Sequence, residues 1–268
     1  MKKRSRFVLT FLAFGYAFIY IPIFTLIVYS FNESRLVTVW AGFSTKWYYQ
    51  LVHNEQILSA VWVSLRVATL TATLAVILGT LAAIGMVRFR QGKKHSLFGG
   101  LITSPMVMPD VIMGLALLLL FVSLEQIIGW PSERGILTIT IAHTTLALAY
   151  VFVIVHERLA NFDQSLEEAA LDLGAKPLVV FLRITLPLIS PSLLAGWLLA
   201  FTLSLDDVVI ATFTSGAGTT TLPMVVFSSI RIGITPEINA LATIIVALVT
   251  TGVIITGIIL RPKSRAKT

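Results

Sequence analysis

Cysteine is absent from this 268-residue sequence and charge is scarce, with 12% of residues being Asp, Glu, Lys or Arg. The missing thiols exclude a disulfide framework, a thiolate nucleophile and a thiolate metal site. The four histidines, His53, His95, His143 and His156, are scattered and do not replace them. A phosphate-wrapping Walker loop needs a glycine, four residues, then Gly-Lys and a hydroxyl. The Gly92-Lys93 pair is followed by Lys94 and has Val87 where the first glycine belongs, so no ATP site is expected. HExxH and GxSxG patterns are missing too, and with them any sign of a resident metal, cofactor or catalytic nucleophile. The chain is read as no enzyme in itself. No low-complexity linker, internal repeat or second composition regime divides it, so one domain over 1–268 is expected.

What fills the sequence is apolar: 56% of residues are hydrophobic and the mean hydropathy is +0.90. A helix needs about 20 apolar residues to cross a bilayer, and six stretches qualify, at 7–31, 57–87, 98–124, 137–156, 186–205 and 239–260. The first follows Lys2, Lys3, Arg4 and Arg6 as a signal peptide would, but it is too long and lacks a small-residue cleavage site, so a retained helix is expected.

Placing both termini in the cytoplasm puts fifteen of the 20 Lys and Arg residues on that side. They precede span one, join spans two and three (Arg88, Arg90, Lys93, Lys94), join spans four and five (Arg158, Lys176, Arg183) and follow span six. Only Arg35, Lys46, Arg134 and Arg231 fall outside, with Arg66 inside a span, as the positive-inside rule requires. The net charge of +7 therefore reports topology and contact with anionic lipid, not nucleic-acid binding. Trp40, Trp47, Tyr48, Tyr49 and Trp130 fall in outer loops, where amphipathic rings suit the headgroup layer.

Two connections are long. The outer one, 207–238, mixes Gly216, Gly218, Pro223, Gly233 and Pro236 with apolar runs. Broken backbone at membrane depth is tolerated only inside protein or beside water, so this segment is a candidate gate, with an ordinary outer loop carrying an interfacial helix as the alternative. The inner connection, 157–185, reads ERLANFDQSLEEAALDLGAKPLVVFLRIT. Ser165 and Glu168 stand at capping-box spacing, and Leu166, Ala169, Ala170 and Leu173 form an apolar stripe. Gly174 supplies a C-terminal cap and Pro177 the first turn of a second short helix. The stripe packs either on the protein's own helices or on a partner.

Glu168, Ala169 and Ala170, followed at fixed spacing by Gly174 and by Ile184, Leu186 and Pro187, resemble the signature of importer permeases of the ATP-binding-cassette class. The likeness extends through YSFNESRLVTVWAGFSTKWY (29–48), PMVMPDVIMG (105–114), GWLLAFTLSLDDVVIATF (196–213) and PEINALAT (236–243), and is nearest to permeases of putrescine and spermidine importers. It implies an all-α type I importer fold in the bacterial cytoplasmic membrane. It also implies a homologous second permease, two ATPase subunits and an extracytoplasmic polyamine-binding protein as partners. By the same resemblance the 165–173 helix couples to the ATPase through Glu168, Ala169, Ala170, Asp172, Gly174, Ile184 and Pro187, with Glu168 capping the helix and meeting basic groups of the ATPase.

Ionisable groups inside a bilayer cost about 3 kcal/mol or more each, so they line water paths or pair. Asp110, after Pro109 and one turn beyond Pro105, is expected on a kinked span three facing the substrate path. Asp206 and Asp207 end span five, and since neighbours on a helix point about 100° apart, one of them is expected to face that path. Carboxylates suit a diamine, whose two ammonium groups need their hydration partly replaced. The alternative is a pairing with Arg66 or a helix cap. His143 and Tyr150 share a face of span four and are expected to be satisfied by neighbouring helices. A proton-driven carrier using Asp110 and Asp206 is a rival reading, opposed by the missing inverted repeat. A non-transporting scaffold leaves the buried acids unexplained.

Overall fold

The computed structural model describes residues 6–36, 39–88, 93–233 and 235–259. The basic residues Lys2, Lys3, Arg4 and Arg90, and those following span six, lie outside the described residues. Among the described residues there are twelve α-helices: α1 Arg6–Tyr29, α2 Lys46–His53, α3 Glu55–Arg88, α4 Lys93–Thr103, α5 Asp110–Ile128, α6 Ile136–Ala160, α7 Ser165–Asp172, α8 Pro177–Val180, α9 Leu186–Asp206, α10 Val209–Thr214, α11 Leu222–Ile232 and α12 Pro236–Ile259. Among the described residues there is no strand beyond a single bridge between Asn32 and Phe43. Among the described residues five helical stretches are long and apolar enough to cross a bilayer: Phe7–Tyr29, Glu55–Arg88, Asp110–Ile128, Ile136–Ala160 and Pro177–Asp206. The described part of α12 is apolar but shorter by that measure.

The chain forms two compact units, Met1–Leu58 with Ser228–Thr268, and Ser59–Phe227. In the first, α12 packs against α1 and α2. Asn32 organises the connection after α1: its amide nitrogen donates to the Val39 carbonyl at 2.7 Å, and its oxygen accepts from the amides of Ser34 and Ala41. Trp47, expected at the headgroup layer, is buried with its indole N–H on the Asn32 carbonyl at 2.6 Å, and the Tyr48 hydroxyl meets Ser30 at 2.7 Å. A buried indole needs an acceptor for its N–H, and the folded loop supplies one. Trp40, Tyr49 and Trp130 remain exposed.

In the second unit the core lies where α3, α6 and α9 meet, built from Ala72, Ala75, Ala83, Val151, Phe152, Val155, Ile189 and Ala200. Small residues set the spacing: a Cβ on Gly79 would come within 3.0 Å of Val151 Cγ1. Gly85, further along the same helix, has open space where a Cβ would stand.

Two departures from the sequence reading shape the rest. A single kinked helix is expected over 98–124, but the chain forms α4, a 3₁₀ turn at Ser104–Met106, and a separate α5 capped by Pro109 in extended conformation. Pro105 and Pro109 donate no N–H, and a residue before proline avoids the helical region, so the helix stops and restarts instead of bending. Asp110 is thereby the first residue of α5, where the helix dipole favours its charge. The second departure follows α8. Where a second short helix leading up to span five is expected, α8 ends after Val180 and passes through one π turn, Phe181–Thr185, straight into α9. Pro187 has no N–H for the Arg183 carbonyl four residues back and its ring crowds that carbonyl, so the wider turn just before it relieves the clash.

Candidate functional site

The end of α9 holds the first cluster. Asp206 is the last helical residue, and Asp207 leaves the helix in extended conformation. Asp207 turns back onto the start of α10: its carboxylate accepts from the Ile210 amide at 3.3 Å and the Ala211 amide at 2.7 Å. His143 of α6 brings Nε2 to 3.1 Å from Asp207 Oδ2, and its Nδ1 lies 2.7 Å from the Ser204 hydroxyl. The Nε2 approach lies off the axis of a directed hydrogen bond, so it acts through electrostatics. Facing a carboxylate, Nε2 carries the proton and Nδ1 accepts from Ser204. The histidine is buried at 3% side-chain exposure and Asp207 nearly so at 10%. His143 is thus hydrogen-bonded to α9 through Nδ1 alone, while its Nε2 faces Asp207 and helps to fix it.

Asp206, by contrast, is exposed. It lines a cavity of about 380 Å³ together with Asp110, Leu146, Tyr150, Leu203, Asp207, Val208 and Val209. The three sequence-predicted acids therefore meet around one space, drawn from the start of α5 and the end of α9. Tyr150, given no role beyond packing by the sequence, stands on the same wall. No Lys, Arg or His lines the cavity among the described residues. Arg66, the alternative partner, lies instead over the Trp62 ring at 4.9 Å and makes no ion pair with these acids among the described residues.

The segment after Asp207 opens with the short helix α10. Ile210, Ala211 and Thr214 of α10 are buried against α5 and α6. The Thr138 hydroxyl, at the start of α6, donates to the Thr214 carbonyl at 2.7 Å.

The second cluster surrounds α7. The helix begins at Ser165, one residue too early for Ser165 to cap it, and the Ser165–Glu168 capping box does not form. Asp163 does the work: it accepts from the Ser165 amide at 3.0 Å, and bonds from the Ser165 hydroxyl and amide hold its carboxyl below the usual value. The far end closes as expected. Gly174 adopts φ +86, its amide donates to Leu171 at 2.9 Å, and the Ala175 amide donates to Ala170 at 3.0 Å, the paired bonds of a Schellman ending. Asp172 is the last helical residue, Ile184 lies in the π turn, and Pro187 is the second residue of α9.

The expected apolar stripe does not pack inward. No residue of α7 is buried, and Leu166, Leu171 and Leu173 are exposed, Leu173 at 88%. Glu168 is exposed as well. The acid that meets a basic group within the chain is its neighbour Glu167, which the sequence reading passed over. Glu167 pairs with Arg88, expected only to mark topology and touch lipid, at 3.1 Å. Position 167 differs from 168 by one step around the helix, and nothing in the signature flags it.

These features define a polytopic, all-helical membrane protein with one acid-lined cavity and one exposed connecting helix. The chain belongs to the family of binding-protein-dependent transport system inner membrane components, whose sequence profile matches residues 75–262. It is 57% identical to the putrescine transport system permease protein PotI of Escherichia coli K12 over 92% of this chain and 88% of that one. It is 41% identical to the spermidine/putrescine transport system permease protein PotC of the same strain, over 94% and 93%. Among solved structures, a bacterial ABC transporter involved in import of the acidic polysaccharide alginate matches with a TM-score of 0.73 at 15% identity, covering 98% of this chain and 99% of that one. At that identity the likeness is one of fold.

Proposed function

We propose that this chain is one of two homologous permease subunits of an ATP-driven type I importer and passes a polyamine, putrescine first, by alternating access. It crosses the cytoplasmic membrane six times as one domain, with α12 as the sixth span and both termini in the cytoplasm. Two ATPase subunits drive it and an extracytoplasmic binding protein delivers the substrate. Full-length similarity to a putrescine permease supports the substrate class. The observation that carries the cation reading is the cavity in which Asp110, Asp206 and Asp207 meet without a basic side chain among the described residues. In a site of low dielectric, carboxylates replace part of the hydration that an ammonium group gives up. Asp206 and Asp110 offer the open charges, and Tyr150 a hydroxyl and a ring face. Asp207 serves the path indirectly, by fixing where α10 begins.

The exposed leucines of α7 supply the contact with the ATPase. Glu168 stands beside them, Ala169 and Ala170 permit close approach, and Gly174 turns the chain away. Asp172, Ile184 and Pro187 complete the coupling element. The segment 207–238, with α10 wedged against α5 and α6, acts as the outer gate.

The test is uptake of labelled putrescine by the complete complex in proteoliposomes. The expected result is ATP-dependent uptake, competed by spermidine but not by amino acids or phosphonates. Uptake by this chain alone without ATP would replace the proposal with a proton-driven carrier. Competition by another solute class would move the substrate and leave the importer standing.

A further inference from the structure

Glu167 joins three elements that are separate in sequence. Arg88 Nη2, at the last residue of α3, donates to both carboxylate oxygens, at 3.1 and 3.2 Å. The hydroxyl of Thr185, the last residue of the π turn before α9, donates to Oε1. Thr185 is buried at 1% exposure, while the Glu167 side chain is 20% exposed and that of Arg88 49%. The clasp therefore has one fixed, dry contact and one that water reaches.

What else holds α7 is slight. Among the described residues it packs chiefly on α8 and the π turn and contributes no buried residue. A small cavity of about 40 Å³ beside the clasp, lined in part by Ile84, Leu159 and Phe162, leaves the underside of α7 loosely filled. An amphipathic helix normally transmits movement through a packed apolar face, but here the leucines at 166, 171 and 173 point away from the domain. A push on α7 reaches the long helices through charge-assisted hydrogen bonds, which fix geometry at both ends. Both receiving elements continue into membrane-length helices, Arg88 closing α3 and Thr185 opening α9.

We infer that Glu167 is a positioning residue for energy coupling: it converts a displacement of α7 into a joint displacement of α3 and α9, while its neighbour Glu168 faces the partner. The inference rests on the reading of α7 as the helix that docks the ATPase. It predicts a division of labour between adjacent acids in which one sets assembly and the other sets the yield of transport from each ATP.

The experiment uses the complete complex in proteoliposomes, with ATP hydrolysis and labelled putrescine uptake measured on the same sample. Glu167→Ala removes the contacts to both Arg88 and Thr185 and is expected to lower putrescine transported per ATP hydrolysed by roughly tenfold. Glu167→Gln keeps an acceptor for Thr185 but no charge for Arg88, and a smaller drop of about threefold is expected. In both, the ATPase still copurifies. A role confined to stability would lower the amount of complex and leave the ratio alone, so an unchanged ratio in both variants overturns the inference. If Glu167→Ala fails to assemble, Arg88→Gln breaks the same clasp with the acid in place, and there too the ratio must fall. The docking reading is tested apart, with Leu173→Glu, which is expected to release the ATPase from the complex. Retention of the ATPase and of uptake in that variant overturns the docking reading and the Glu167 inference together. Release of the ATPase there, with normal ratios in the Glu167 variants, overturns the Glu167 inference alone.

Discussion

Two pairs of neighbouring acids stand near opposite ends of α9, Glu167 and Glu168 beside its first turn, Asp206 and Asp207 at its last. In each pair one carboxylate is tied and the other is open. Glu167 is held by Arg88 and Thr185 and Asp207 by His143 and two amides of α10, whereas Glu168 and Asp206 are exposed. The means of separation differ. Within α7 consecutive side chains point about 100° apart, so one acid meets the domain and the next does not. Asp206 and Asp207 are parted by the end of the helix itself, because Asp207 has φ −69 and ψ 129 and its side chain follows the departing backbone. A helical wheel predicts the first split and misplaces the second.

The largest way to break the comparison is to remove the frame that displays the inner pair. Gly174→Pro forces φ toward −65° at a residue that has φ +86, and removes the amide that donates to Leu171. A local cost of about 3 kcal/mol is expected, enough to unwind the end of α7. Putrescine uptake should be abolished while the chain still reaches the membrane, as read by uptake beside membrane abundance. Wild-type uptake would show that the order of α7 is irrelevant to transport.

Asp207→Ala comes next. It leaves His143 facing no carboxylate in a site where both side chains are largely buried, and it strips the amides of Ile210 and Ala211 of their acceptor. A loss of about 2 kcal/mol of stability is expected from the orphaned groups, whereas the exposed Asp206→Ala should stay within about 0.5 kcal/mol. Thermal unfolding of the detergent-solubilised complex compares the two. Equal destabilisation would erase the distinction between the tied and the open acid.

How far these assignments were legible depends on how local each cause is. The long apolar helices, the short α7 and its ending at Gly174 follow from runs and spacings within one segment, whereas the outward turn of its leucines shows only in the fold. Asp110, Asp206 and Asp207 were picked out because a charge inside an apolar stretch is costly wherever the fold places it, although only the structure brings them around one cavity. Glu167 was not legible. Its importance arises from Arg88 and Thr185, which lie 79 and 18 positions away in sequence. The Pro105 and Pro109 signal was visible, but its strength was misjudged: two prolines four residues apart end a helix rather than bend it. Trp47 was misplaced because an outer-loop indole looks interfacial until a folded loop offers it the Asn32 carbonyl.

Asp206→Asn sharpens the comparison from the functional side. It keeps the shape and removes the charge from the open acid, so the KM for putrescine should rise by about tenfold, the equivalent of roughly 1.4 kcal/mol, with unfolding unchanged. Asp110→Asn should act in the same direction. Unaltered uptake kinetics in both variants would remove the cavity from the substrate path.

The smallest effect belongs to Asp163, which caps α7 just before the inner pair. Its carboxyl is held below its ordinary value of 3.8 by the hydrogen bonds from Ser165. A carboxylate whose pKa is depressed on folding contributes stability that is complete above the unfolded value and is lost as pH falls through the folded one. The cap is therefore constant through the neutral range and weakens only below pH 3.8. Asp163→Ala should speed hydrogen exchange at the first amides of α7 at neutral pH, as loss of an N-terminal cap does. The unsubstituted chain should show that fraying only in acid, with exchange rates corrected for their own dependence on pH. Because Glu167 pins the middle of α7 independently, exchange near Ala169 should stay slow in the Asp163→Ala variant. If it rises as much as at Ser165, the cap and not the clasp holds the helix in place.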